Sequence, residues 1–197
     1  VDYFDSIFPE YNFAFSFTIP YFIATNLFSC LIYLIARCFR LNTRIIGGLI
    51  IISMLLILLP VCGYMYARTA LGFWIVVILL FVIAAFSTVM HCSAVALSSM
   101  FPGMGVSYYF TGSGLAGVST CLLRMLSLVI FNDDDYSRYL GCLTYFAMNI
   151  VLLYFSLAVY LYFIRTDYCH YVLLKIRRNT IILEKSDDFL EEIVMSP

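Results

Sequence analysis

The sequence predicts an all-α fold, a polytopic bundle of membrane-spanning helices, and three observations lead there. Of 197 residues 63% are hydrophobic and only 12% charged, which leaves too little polar surface to coat a water-soluble globule. Five apolar runs, at 13–36, 45–66, 71–100, 105–131 and 139–164, each reach the about 20 residues that cover a hydrocarbon core of roughly 30 Å. The breaks between them are short, and short connections set consecutive helices antiparallel across a bilayer.

The first run carries Thr18-Ile19-Pro20-Tyr21, and a proline inside a membrane helix frees a carbonyl and permits a kink. Thr18, Tyr21 and Thr25 share a face, with Asn26 a third of a turn away. These polar groups either line a cavity or tie helices together. Arg37, Arg40 and Arg44 bracket the first turn, and Ala67-Arg68-Thr69 closes the second run. In the third run His91 follows Ser87 at i−4 and Thr88 at i−3, with Ala84, Val95 and Ser98 along the same small, mildly polar stripe. Taking the centre of that run near Phe86 places His91 roughly 8 Å inward of the midplane. A neutral imidazole there donates and accepts at once and stacks on a flat ring; the competing role is a hydrogen bond to a neighbouring helix.

Phe101-Pro102-Gly103 separates the third run from the fourth, which carries Phe110 to Gly117, FTGSGLAG, near its inner third. Gly112, Gly114 and Gly117 have the G-x-G-x-x-G spacing of a dinucleotide fingerprint, but no strand precedes them and no acidic residue follows in a βαβ unit, so that reading fails. In a membrane helix the pairs Gly112/Ala116, Ser113/Gly117 and Gly117/Cys121 are small-xxx-small contacts that admit a neighbouring helix or a flat substrate. Farther along the same face stands Arg124, roughly 10 Å deep from the outer end. A guanidinium at such a depth requires a carboxylate, carbonyls or a watery cavity, or else snorkels to the surface. None of the five runs contains an acid, so the partner is water, backbone, substrate or a part of the protein beyond these runs. Asn132 to Arg138, with Asp133, Asp134 and Asp135, leads into the fifth run.

Charge orients the bundle. Arg37, Arg40, Arg44, Arg165, Lys175, Arg177, Arg178 and Lys185 fall on one side, against Arg68 and Arg138 on the other. The positive-inside rule then makes 165–197 a solvated cytoplasmic segment, whose basic half rests on anionic lipid, and 1–12 an extracellular one. Residues 1–12 carry Asp2, Asp5 and Glu10 rather than the basic start of a signal peptide, and the chain opens on Val1, as a fragment would. A net charge of −1 supplies no basic field for nucleic acid. Cys30, Cys62, Cys92, Cys121 and Cys142 lie in apolar runs without a CxxC or Cys/His cluster and read as small core residues; no metal site or cofactor is expected. Tyr168-Cys169-His170 after Asp167 only faintly resembles an acyltransferase Asp-His-His-Cys signature and lacks its Cys/His zinc framework.

In combination these segments resemble the equilibrative nucleoside transporter family. The resemblance rests on the order of short matches: Val1-Asp2-Tyr3-Phe4 with Phe8-Pro9, Thr43 to Gly48, Phe86 to Ser93, Phe101-Pro102, Thr111 to Gly117, Leu123-Arg124, and Phe163-Ile-Arg165 with Tyr168 and Tyr171. It implies that the five runs correspond to that family's second to sixth helices, the N-terminal part of a major-facilitator-like fold whose second half is missing here. His91 stands where the family has a base-binding glutamine, keeping a donor and an acceptor while changing reach and adding a titratable proton. Ser87 and Cys92 stand in place of glycines, which narrows the cavity. Gly112 and Gly117 match glycines of the fifth helix, Arg124 matches a basic residue of some members, and Thr18 and Tyr21 fall in the region of second-helix contacts.

The expectation is therefore a multi-pass plasma-membrane carrier that moves nucleosides or nucleobases by alternating access. His91, Ser87, Gly112, Gly117, Arg124, Thr18 and Tyr21 are the candidate substrate residues, and Arg124 pairs with a carboxylate of the missing half. The alternative is a non-transporting multi-span protein, or a truncated transporter half, in which the same residues only lock helices together. Enzymatic function is not expected: two histidines cannot build a desaturase-type metal site, and no serine has an evident base.

Overall fold

The computed structural model describes residues 13–66, 69–130 and 135–175. Among them the only regular secondary structure is helix, with no strand, as composition and run length predict. The long helices are α1 (Phe13–Cys38), α2 (Leu41–Met65), α3 (Ala70–Ser99), α4 (Gly105–Ile130) and α5 (Asp135–Ile164). A further helical stretch covers 167–175. Four of them, α1, α2, α3 and α5, are long and apolar enough to cross a membrane, and the chain is an integral membrane protein.

Two boundaries differ from those expected, and α4 differs in kind. Helices α2 and α5 begin four residues before the apolar runs that announce them, at Leu41 and Asp135. A helix need not stop where the hydrocarbon does, because its first turn tolerates polar residues and its positive end favours an acid. Helix α4 is 26 residues long but is not among the four apolar spans. Its Gly, Ser, Thr and Tyr residues, with Arg124, dilute the apolar character that the expectation of five spans took for granted. The expected extracellular segment 1–12, the turn at Ala67-Arg68 and residues 176–197 lie outside the described residues.

Helix α3 is the axis of the bundle, packing along α2 and α1, while α5 closes against α2. Two apolar clusters hold it. At one end Leu59, Phe73, Val76, Val77 and Cys142 pack with Phe17 and Phe146; at the other Ile45, Leu49 and Leu97 pack with Phe101, Leu153 and Leu157. Each cluster draws on both ends of the sequence order, since consecutive helices run antiparallel. The serines and threonines buried inside are satisfied by their own helices: Thr88 donates to the Ala84 carbonyl at 2.8 Å and Ser93 to that of Val89 at 2.7 Å. Such back-bonding lets hydroxyls sit in apolar surroundings without a partner helix.

The turns are tight for identifiable reasons. Thr69 caps α3, its hydroxyl accepting from the Gly72 amide at 3.1 Å and donating to the Tyr66 carbonyl at 2.7 Å. The chain folds back so closely there that a Cβ on Gly72 would lie 2.2 Å from the Tyr66 carbonyl oxygen. Between α3 and α4, Gly103 takes φ +90°, a conformation that glycine adopts without penalty. This corner sets α4 beside α3.

Beyond α5 the chain does not simply leave the bundle. Cys169 and Val172 are buried, and Tyr168 stacks near Phe101 with ring centroids 6.1 Å apart. The first part of the segment expected to be solvated is thus packed. Burial also pushes the Cys169 thiol above its ordinary pKa, the opposite of what an acyl-accepting thiolate needs. Of the cysteines read as core residues, Cys142 is buried and Cys62 and Cys92 are half-buried, but Cys30 and Cys121 are exposed. In a bilayer protein an apolar run marks lipid as readily as core, so sequence context alone does not tell the two apart.

Candidate functional site

The centre of interest is the α3–α4 hairpin. His91 lies near the end of α3, Tyr109 near the start of α4, and the corner at Phe101–Gly103 lies midway between them in sequence, so antiparallel packing brings both to one level. The Tyr109 hydroxyl and His91 Nδ1 are 2.7 Å apart. Two other hydrogen bonds between side chains of different helices are longer: Tyr160 to Asn42 at 3.2 Å, and Ser53 to Tyr154 at 3.5 Å. Phe110 completes an aromatic corner, its ring centroid 6.4 Å from the imidazole and 5.7 Å from Tyr109.

The pair leaves one imidazole nitrogen uncommitted. With Nδ1 engaged by the phenol, Nε2 has no hydrogen-bond partner among the described residues, and the His91 side chain is exposed. If the phenol donates, Nε2 carries the proton and is a donor; if the phenol accepts, Nε2 is an acceptor. Either tautomer presents one polar point beside a flat aromatic surface. Ser87, one turn earlier on α3, is half-buried.

Helix α4 then stands away from the bundle. Gly105, Val106 and Tyr109 are partly covered by α3, and Leu123, Arg124 and Ser127 are covered again toward α5, but every residue from Phe110 to Val118 is exposed. A Cβ placed on Gly112, Gly114 or Gly117 would meet nothing within 4 Å. The small-residue face expected to hold a neighbouring helix faces open space among the described residues. Thr111, Ser119 and Thr120 donate back to carbonyls of α4 itself, so the face presents few unsatisfied groups.

Arg124 lies at the far end of this open face. Its guanidinium carbon sits 6.0 Å from the centre of the Tyr145 ring on α5, a cation–π approach at the outer limit of the useful range. The expected partners were water, backbone, substrate or a missing part of the protein, and the Tyr145 ring was not among them.

The candidate residues therefore fall on two levels. Tyr109 and Arg124 are separated along α4 by roughly 22 Å at the helical rise. Thr18 and Tyr21 belong to the Arg124 level: Phe17, beside them, packs with Phe73, Val76 and Val77, whereas His91 lies roughly 21 Å beyond Val77 along α3. Both are exposed, and Tyr21 contacts Phe17 and Phe22 at ring distances of 6.0 and 6.2 Å. His91 and Ser87 are brought together, Gly112 and Gly117 lie between the levels, and Arg124, Thr18 and Tyr21 are remote from the imidazole. Tyr109 and Phe110 are the partners that the sequence stripe on α3 did not reveal. Among the described residues no three His, Cys, Asp or Glu side chains are placed to hold a metal ion. Compared with protein-family models, curated proteins and solved structures, the chain matches none of them.

Proposed function

We propose that the protein takes part in carrying nucleosides or nucleobases across a membrane by alternating access, with His91 as the group that bonds the base. The observation that carries this reading is the His91–Tyr109 pair: an exposed intramembrane imidazole with one nitrogen fixed at 2.7 Å and the other free, beside the ring of Phe110. Exposing such a group to lipid tails is unfavourable, so the face that bears it favours a watery cavity or a ligand. A nucleobase is planar and offers donors and acceptors on its edge, which suits one polar point next to an aromatic plane. The exposed glycines of α4 continue that face, and in carriers of this kind a second helical bundle closes over such a surface and rocks about the bound substrate.

The same reading places the protein in the plasma membrane with the arginine-rich corner at 37–44 cytoplasmic, in accord with the positive-inside rule. Uptake of radiolabelled adenosine and hypoxanthine by cells expressing the full reading frame tests it. His91→Ala should abolish uptake or change base preference at unchanged surface expression, and unaltered uptake of both would sink the assignment. A structural role is favoured by the fact that His91 also joins α3 to α4. In that case His91→Ala would lower expression and stability, and the wild-type protein would show no saturable uptake.

A further inference from the structure

A second surface lies away from the His91 face and independent of it. Helices α1, α2 and α3 enclose a groove of about 570 Å³, within the span of small-ligand sites. Phe28 and Ile35 of α1, Phe39 just past its end, Ile51 of α2, and Phe81 and Phe86 of α3 make its walls almost wholly apolar. Its polar exception is at one end, where Thr43 and Arg44 enter α2.

Arg44 is the anomaly. Its Nε is buried and has no hydrogen-bond partner. The acids among the described residues are Asp135, which opens α5 at the opposite end of the bundle, and the exposed Asp167. The neighbouring Arg37 is already engaged, lying over its own helix's Tyr33 ring at 4.6 Å and donating to that phenol. Arg40 is exposed at the start of α2. The corner thus concentrates positive charge at the mouth of an apolar slot, with one buried guanidinium donor unmet.

The dimensions fit one occupant. From Phe28 on α1 to Phe39 just past its end the groove extends roughly 16 Å, and from Thr43 to Ile51 it follows α2 for roughly 12 Å. Half of a hydrocarbon core is roughly 15 Å, so the groove spans one leaflet with its cationic end at the headgroup level. We infer that this groove binds an anionic glycerophospholipid, one acyl chain lying between α1, α2 and α3 and the phosphate received by Arg44. A guanidinium matches a phosphate with paired donors, and the leaflet on the arginine-rich side of membrane proteins is the anionic one.

Gly47 gives a clean way to test it, because it lines the groove and a Cβ there meets nothing within 4 Å. The full-length protein, purified in detergent, is titrated with dioleoyl phosphatidylglycerol or dioleoyl phosphatidylcholine, and retained lipid is counted by native mass spectrometry. The wild type and Gly47→Ala should retain phosphatidylglycerol about tenfold better than phosphatidylcholine. Gly47→Leu, which fills the slot, should lose both, and Arg44→Gln should keep binding but lose the preference. If Gly47→Leu does not fold, the loss of preference in Arg44→Gln still decides. Retention indifferent to both substitutions would mean annular lipid only and would overturn the inference. So would a wild type that retains neither lipid, the result expected if a protein segment covers the groove.

Discussion

Removing one oxygen atom tests the α3–α4 junction most directly. Tyr109→Phe keeps the ring that packs on Phe110 and deletes the hydroxyl that meets His91 Nδ1 at 2.7 Å. Hydrogen bonds between membrane helices average about 0.6 kcal/mol and reach about 1.7 in double-mutant cycles, below the naive expectation because the separated helices find other partners. The bond here is short and joins helices with little other contact, so the upper half of that range applies, about 1–1.7 kcal/mol. The assay is a cycle of Tyr109→Phe, His91→Ala and the double variant, each followed by reversible unfolding in mixed micelles. The two single substitutions should each destabilise, and the double should destabilise by less than their sum by that coupling. A coupling indistinguishable from zero would refute the pairing and, with it, the argument that Nε2 is the nitrogen left for substrate. Uptake adds a second readout. Tyr109→Phe should reduce transport several-fold by letting the imidazole turn, and His91→Ala should remove it.

Two further outcomes follow from the packing. Gly72→Ala should destabilise by about 1–3 kcal/mol, since its Cβ would sit 2.2 Å from a backbone oxygen, whereas Gly114→Ala in open space should be neutral or mildly stabilising through helix propensity; equal effects in thermal unfolding would contradict the tight α2–α3 turn. Burial raises the Cys169 thiol pKa, so the fold holds its proton to higher pH than the unfolded chain does; its contribution is complete below the ordinary thiol range and fades as pH rises through it. Unfolding midpoints measured from pH 8 to 10 should fall, and Cys169→Ala should flatten that slope; an unchanged slope would remove the thiol from the account.

Some of the site was readable without coordinates, and the limits have a physical cause. His91 and Arg124 announce themselves because ionisable groups are rare in apolar runs and expensive in lipid. Their partners do not, because Tyr109 and Tyr145 are two of 16 tyrosines, and which one lies opposite depends on how many residues each turn consumes. Thr18 and Tyr21 show the same gap in reverse. Periodicity places them on one face of α1, yet nothing in a one-dimensional pattern reports that they sit roughly 21 Å of helical rise away from the imidazole.

Composition and run length alone make the chain helical and membrane-embedded, place its helix ends to within about four residues, and mark which side chains are too polar for lipid to accept unaided. Those properties follow from local composition and from the thickness of a bilayer. The packed bundle alone decides which apolar faces are core and which are exposed, that α4 stands away from its neighbours along its glycines, and that Arg44 closes an apolar groove with an unmet donor. A membrane helix can be apolar on every side, so its hydrophobic pattern carries little record of its neighbours, and only the packed bundle supplies it.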